Sequence, residues 1–197
     1  MKLPVPTKIP AITLVDIDGQ PILPGNGRKL LLSLFREATC PFCNVRVFEL
    51  THNYPGLASL GVDIVVVFNS SQEDVRKFIA RQPRPFRMVA DPQGTAYQQF
   101  GVNSSMWGKI KAMIWRMQAL IRGMGMVGMR GMATGNLMPA DFLIDEEGNV
   151  VETYYGQDAG DHIPMERIEL FAVRGMASRQ LDAANRVSGK EACSTVV

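Results

Sequence analysis

Two apolar strands separated by helical segments, followed by a late β-hairpin, predict an α/β chain with one mixed central sheet flanked by helices. Three observations carry this. Residues 30–35 (Leu-Leu-Leu-Ser-Leu-Phe) and 62–68 (Val-Asp-Ile-Val-Val-Val-Phe) are nearly continuous apolar runs, as in strands buried on both faces. Each is followed by apolar residues at helical spacing, which implies parallel strands joined by crossovers. Residues 140–145 and 150–155 flank Glu146-Glu147-Gly148-Asn149, a turn signal that joins antiparallel strands. The expected organisation is a single domain over residues 1–185, with an insertion at about 103–136 and a flexible tail at 186–197.

Residues 1–10 hold three prolines and are expected to run extended. Residues 11–15 followed by Asp16-Ile17-Asp18-Gly19-Gln20-Pro21 predict a strand entering a turn, and with it a small hairpin. Pro24-Gly25-Asn26-Gly27 then turns the chain into strand 30–35. A helix is read over 43–50, where Val45, Val47, Phe48 and Leu50 meet no breaker, and Tyr54-Pro55-Gly56 is expected to break or bend it. Ser70 or Ser71 ahead of Glu73-Asp74 marks the next helix start, with Val75, Phe78 and Ile79 inward. A short strand at 86–89 ends at Asp91-Pro92, and a short helix over 95–100 closes near Gly101. The last helix is predicted over 165–181, apolar at Ile168, Phe171, Ala172 and Met176.

The chemistry is concentrated at Cys40-Pro41-Phe42-Cys43, between the first long strand and its helix. Pro41 suits a first helical turn, where its missing N–H would be unpaired anyway. Cys40 therefore falls at the helix N-terminus, with Cys43 one turn further in. Unpaired N–H groups and the positive end of the helix dipole favour a thiolate there, and in such settings a cysteine pKa falls from about 8.5 to roughly 3.5–7.5. Arg36 adds a positive charge nearby. The i, i+3 spacing lets the second thiol close a disulfide on the first. A zinc half-site is the competing reading, but a closed site takes four ligands and the chain offers only Cys193, His52 and His162 besides. An inert structural pair is the other. No metal and no cofactor is expected.

These residues resemble the thioredoxin superfamily, and within it its peroxiredoxin-like, redoxin-type branch. Cys40-Pro41-Phe42-Cys43 is close to the glutaredoxin Cys-Pro-Tyr-Cys. Val89-Ala90-Asp91-Pro92-Gln93-Gly94 with Phe100-Gly101-Val102 is similar to a segment of peroxiredoxins of the alkyl hydroperoxide reductase and thiol-specific antioxidant type. Met138-Pro139-Ala140-Asp141-Phe142-Leu143-Ile144-Asp145 resembles the superfamily's proline and hairpin strand. The match covers roughly residues 10–100 and 137–181. It implies a thioredoxin-like fold in which Pro139 is a cis-proline packed on the disulfide, following the Met/Gly-rich insertion. It implies further that the Met138 backbone pairs with an extended thiol substrate, and that Thr39, Pro41 and Phe42 line the substrate site. One departure is informative. Typical peroxiredoxins carry Thr-x-x-Cys, whereas Glu37 stands three before Cys40; superposed on that pattern, Cys40 falls at the threonine and Cys43 at the peroxidatic position. The arginine usual before the hairpin strand is replaced by Pro139 and Ala140. The departure favours a dithiol–disulfide mechanism, with Cys40 attacking and Cys43 resolving.

In the insertion, Met106, Trp107, Ile110, Met113, Ile114, Met117, Leu120 and Ile121 recur at helical spacing, with Lys109, Lys111, Arg116 and Arg122 largely elsewhere on the wheel. This basic amphipathic helix, at 105–122, is suited to packing on its own domain or across a homodimer seam, to covering the active site, or to peripheral contact with a membrane. The run Gly123-Met124-Gly125-Met126-Val127-Gly128-Met129-Arg130-Gly131-Met132 is expected to be flexible and apolar, as in a mobile cover near the cysteines. Asp141 is a candidate proton acceptor near the cysteines. His162 is assigned to the start of the last helix with Pro164 in its first turn, and Cys193 to the tail, free or as a remote resolving thiol.

A net charge of +2 gives no reason to expect nucleic acid, and no apolar run resembles a leader or a membrane span. The expected compartment is cytoplasmic. The leading functional reading is a thiol–disulfide oxidoreductase acting on protein or small-molecule thiols and disulfides, recharged by a thioredoxin or glutathione system. The alternatives are a thiol peroxidase acting on hydroperoxides, and a redox-sensing or membrane-associated binding module.

Overall fold

The computed structural model describes residues 2–81, 83–127 and 135–174, with the backbone alone at Lys109. Its strands are β1 (Thr7–Lys8), β2 (Leu14–Val15), β3 (Pro21–Ile22), β4 (Lys29–Leu34), β5 (Val62–Phe68), β6 (Arg87–Ala90), β7 (Ala140–Ile144) and β8 (Asn149–Tyr155). The helices are α1 (Pro41–Ser59), α2 (Gln72–Asp74, continued by a π-helical turn over Val75–Ile79), α3 (Thr95–Gln99), α4 (Met106–Trp115), α5 (Met117–Val127) and α6 (Met165–Val173). The sheet runs β1-β8-β7-β4-β5-β6, and β2-β3 form a separate hairpin. β4, β5 and β6 are parallel neighbours, while β7 lies antiparallel to both β4 and β8. This is the mixed, helix-flanked sheet of the thioredoxin-like fold.

Alternation along β4 sorts the core into two layers. Leu31 and Phe35 join α1, α6 and the cysteines on one face; Leu30, Leu32 and Leu34 join Phe100, Phe142 and α3 on the other. Each fully buried leucine stabilises the fold by roughly 1.5–3 kcal/mol, which outweighs local propensity at β4. At the hairpin, the Asp145 carboxylate accepts from the backbone N–H groups of Glu147 and Asn149, and Gly148 supplies φ 80°.

Several expectations are corrected. α1 does not break at Tyr54-Pro55-Gly56 but runs through Pro55 to Ser59. Burial of Leu57 in the core holds the last turn, so packing overrides the hydrogen bond that Pro55 lacks. The last helix ends at Val173, not at 181. The buried Lys29 ammonium donates to the carbonyls of Phe171, Ala172 and Arg174 at 2.9, 2.8 and 2.6 Å, which caps the helix, and Arg174 is extended. Met176, Cys193 and the tail at 186–197 lie outside the described residues. Pro164 is the N-cap of α6 rather than part of its first turn.

The insertion forms two helices instead of one. The break is at Arg116 (φ −113°, ψ 36°), whose guanidinium pairs with Asp158 at 2.9 Å and Asp161 at 3.5 Å. Of the predicted apolar stripe, Leu120 and Met113 pack on the core, and most of the rest turns outward. Ala112, Leu120, Gly123 and Val127 face inward, while Met106, Trp107, Ile110, Ile114, Met117 and Ile121 are exposed.

Candidate active site

β4 ends one residue before Phe35, and the loop 36–40 delivers the chain to α1. The loop is held from both ends. The Asn44 side-chain amide donates to the carbonyls of Ala38 (2.8 Å) and Cys40 (3.0 Å), the Ala38 N–H donates to the Ser70 hydroxyl (2.9 Å), and the Cys40 N–H to the Glu37 carbonyl (2.9 Å). Cys40 is the N-cap of α1, with Pro41 in the first turn. Both Cys40 and Cys43 are free thiols without solvent exposure.

Arg36 is the centre of the site. It is 1% exposed, and its guanidinium donates to Cys40 Sγ at 3.3 Å, to the Leu137 carbonyl at 2.8 Å and to the Gly135 carbonyl. A buried cation so placed stabilises a thiolate more than it would in water. Burial itself pushes the Cys40 thiol up. The hydrogen bond from Cys43 and the Arg36 charge overcome that push, and the pKa falls from 9.0 to about 7. Burial and the neighbouring Cys40 sulfur drive Cys43 the other way, well above 9.0. The surroundings thus favour ionisation at Cys40 and retention of the proton at Cys43.

The other expected site residues fall as follows. Thr39 is half-buried beside Cys40, and Pro41 and Phe42 are buried at the start of α1. The Met138–Pro139 bond is trans, which corrects the expected cis-proline; trans is the favoured isomer wherever the surrounding chain does not demand the other. The neighbouring backbone is already paired, since Met138 N–H donates to the Asn103 carbonyl (3.0 Å) and Gly156 N–H to that of Pro139 (2.9 Å). Met138 N–H is therefore not free to pair with a substrate strand. Asp141 also departs from expectation, because its carboxylate serves other groups than the thiols. It accepts from Ile163 N–H (2.8 Å) and from the Ser33 hydroxyl, and lies 3.2 Å from His162 Nδ1. Burial pushes Asp141 up, but His162, Arg46 and Ser33 together hold it below 3.8. His162 is accordingly a buried partner of Asp141, with its ring edge-on to Phe35 at 4.6 Å, rather than a residue of the helix start.

Sequence reasoning missed Asn44, Glu37 and Gly123. The Glu37 carboxylate accepts from Gly135 N–H at 2.7 Å and so pins, with Arg36, the loop segment leading to Pro139. Gly123 of α5 lies directly on the redox motif, where a Cβ would sit 2.3 Å from the Pro41 carbonyl oxygen. A glycine on the inward side of an amphipathic segment is the available signal of such close approach. Residues 128–134 of the Met/Gly run lie outside the described residues. Beside the motif, a cavity of about 300 Å³ is lined by Phe42, Arg46, Glu49, Arg116 and Met165 among others; neither cysteine lines it. Among the described residues, no group of three or more His, Cys, Asp or Glu is arranged to hold a metal ion.

With this geometry in place, the comparisons are consistent with one another. The AhpC/TSA family model matches residues 5–153. The chain is 27% identical over 122 residues to peroxiredoxin Bcp of Escherichia coli, covering 60% of this chain and 78% of that one. Among solved structures, it is similar to peroxiredoxin Q of Xanthomonas campestris (TM-score 0.60, 16% identity, 88% and 96% of the two chains). It is also similar to peroxidoxin BcpB of Mycobacterium tuberculosis (TM-score 0.59, 16% identity, 85% and 94%). At these identities the structural likenesses establish the fold.

Proposed function

The chain belongs to the AhpC/TSA family and is a peroxiredoxin-like oxidoreductase, and on that premise we propose that it is a thiol peroxidase with Cys40 as the attacking sulfur. The observation that carries this reading is the Arg36 guanidinium 3.3 Å from Cys40 Sγ, beside a sulfur whose pKa is lowered to about 7. The Cys40 thiolate attacks the distal oxygen of a hydroperoxide. The O–O bond breaks, the alkoxide leaves and takes a proton as the alcohol, and Cys40 becomes a sulfenic acid. Cys43, one helical turn away, attacks that sulfur; water leaves, and the Cys40–Cys43 disulfide forms. A dithiol partner of the thioredoxin or glutathione kind then reduces the disulfide by exchange. Arg36 holds the negative charge on sulfur before attack and faces the charge that develops as the O–O bond breaks.

The test compares peroxide consumption by reduced wild type, Cys40→Ser and Cys43→Ser. The expected result is loss of turnover by roughly 10³-fold or more in Cys40→Ser. Cys43→Ser should consume about one equivalent and stop at a sulfenic acid that dimedone traps. Turnover retained without Cys40 and lost without Cys43 would move the attacking role to Cys43. A second reading, thiol–disulfide exchange, is favoured by one observation: Cys40 stands where the Thr-x-x-Cys pattern has threonine. Wild type that reduces a protein disulfide but leaves peroxide untouched would select it.

A further inference from the structure

The active site uses only the inner side of the insertion. Its outer side carries Met106, Trp107, Ile110, Ile114, Trp115, Met117 and Ile121 in the open, with Trp107 and Trp115 at 81% and 80% exposure. These are the only two tryptophans of the chain. Large apolar side chains are seldom left exposed in such a cluster unless something covers them. We infer that the outer face of α4 and α5 is a docking surface for an anionic lipid bilayer.

Charge selects this occupant. From residue 92 to residue 140 the chain has no Asp or Glu, but carries Lys109, Lys111, Arg116, Arg122 and Arg130. Without those five, 16 basic residues face 19 acidic ones in the rest of the chain, so positive charge is segregated onto the insertion. Lys111 and Arg122 are exposed on the same side as the apolar residues, whereas Arg116 is committed to Asp158 and Asp161. Tryptophan, isoleucine and methionine flanked by lysine and arginine are the composition of helices that lie in a bilayer interface, where the ring sits at the headgroup level and each cation meets anionic lipid. A second copy docked through the same face would bring like charges together, which opposes self-association there. Neither α4 nor α5 is long enough to cross: among the described residues no helix is long and apolar enough to span a membrane. The helices would lie flat, with their outer side buried in the headgroup region and α5 still resting on the redox motif.

The tryptophans make the test direct, and it is read without peroxide, on the Cys40→Ser/Cys43→Ser chain, so that it stands apart from the catalytic reading. The full chain is mixed with extruded vesicles of phosphatidylglycerol and phosphatidylcholine, and separately with pure phosphatidylcholine. Expected on the anionic vesicles are a blue shift of tryptophan emission, quenching by brominated acyl chains, and co-sedimentation. Lys111→Glu/Arg122→Glu should weaken partitioning at least roughly 25-fold, since each cation is worth about fivefold. Ile114→Ser/Ile121→Ser should weaken it with the charge intact. Both pairs are exposed and leave the core untouched. Unchanged emission on anionic vesicles, or equal binding to neutral ones, overturns the inference. So does a concentration-dependent blue shift without lipid, accompanied by a dimer mass in sedimentation, because a second copy would then be the occupant.

Discussion

Two buried polar clusters lie on the same side of the sheet and differ in what they leave available. Around Asp141, the carboxylate accepts from Ser33 and Ile163 N–H and faces His162, so its lone pairs are spent within the fold. Around Arg36, the guanidinium is likewise fully engaged, but one of its partners is a sulfur that can leave the arrangement by reacting. Burial is equally complete at both. Depth in the core therefore does not separate a structural charge from a chemical one. What separates them is whether the group that holds the charge is a saturated acceptor or a nucleophile balanced near neutrality.

The largest expected effect breaks the structural cluster. Asp141→Ala leaves Ile163 N–H, Ser33 and the buried His162 without their acceptor, and the predicted loss is about 3–5 kcal/mol, read from urea denaturation midpoints. Because Asp141 is held below 3.8 in the folded chain, its contribution is fully present above that value and is lost as pH falls through the lower folded one. Stability of wild type should decline there, and the Asp141→Asn chain should lack that share of the slope. A wild-type and Asn profile of the same shape would show that the carboxylate charge is not what the cluster uses.

Next in size is the chemical cluster. Arg36→Leu removes the cation beside Cys40, and the predicted result is a rise of the thiol pKa toward its usual value of about 8.5 and a roughly tenfold fall in iodoacetamide reactivity at pH 7. Arg36→Lys should recover part of it, with the pH profile between the two. In wild type, alkylation should climb as pH passes through about 7 and level off above. A profile centred near 9 in wild type would remove the electrostatic account of Cys40.

The smallest pair sharpens how the chemical cluster is reached. In α5, a Cβ at Gly123 would meet the Pro41 carbonyl at 2.3 Å, whereas at Gly125 nothing lies within 4 Å. Gly123→Ala is predicted to destabilise by about 1–3 kcal/mol through overpacking and to speed alkylation of Cys40 as α5 is pushed away. Gly125→Ala should stabilise by up to about 1 kcal/mol through helix propensity alone, leaving alkylation unchanged. Equal behaviour of the two alanine variants in both assays would mean that α5 does not rest on the redox motif.

Much of this arrangement is legible in the sequence, and for identifiable reasons. The nearly continuous apolar runs at 30–35 and 62–68 read as buried strands, and Gly148-Asn149 between two apolar-rich segments reads as a turn. A first-turn proline after Cys40 located the cap. What was not legible depends on contacts between distant parts of the chain. The passage of α1 through Pro55 rests on Leu57 finding the core. The early end of α6 rests on Lys29, 142 residues away from Phe171. The trans state of Pro139 and the pairing of the Met138 N–H with Asn103 are set by the folded chain and leave no mark on the local motif. In the insertion, periodicity reported an amphipathic helix correctly but not which side would turn inward. Ala112 and Gly123 permit close approach and lie inward with Leu120 and Val127, whereas Trp107, Ile110, Ile114 and Ile121 are left outside.

Because Cys40 and Cys43 share one helix start, the sulfurs can pass between thiol and disulfide with no segment of chain to carry one to the other. The cysteines have no solvent exposure, however, so whatever delivers substrate has to displace the cover that Gly123 lets settle on Pro41. Chemistry and motion are thereby assigned to different parts. The sulfurs answer to the field of Arg36, and access to them answers to how closely α5 packs on Pro41.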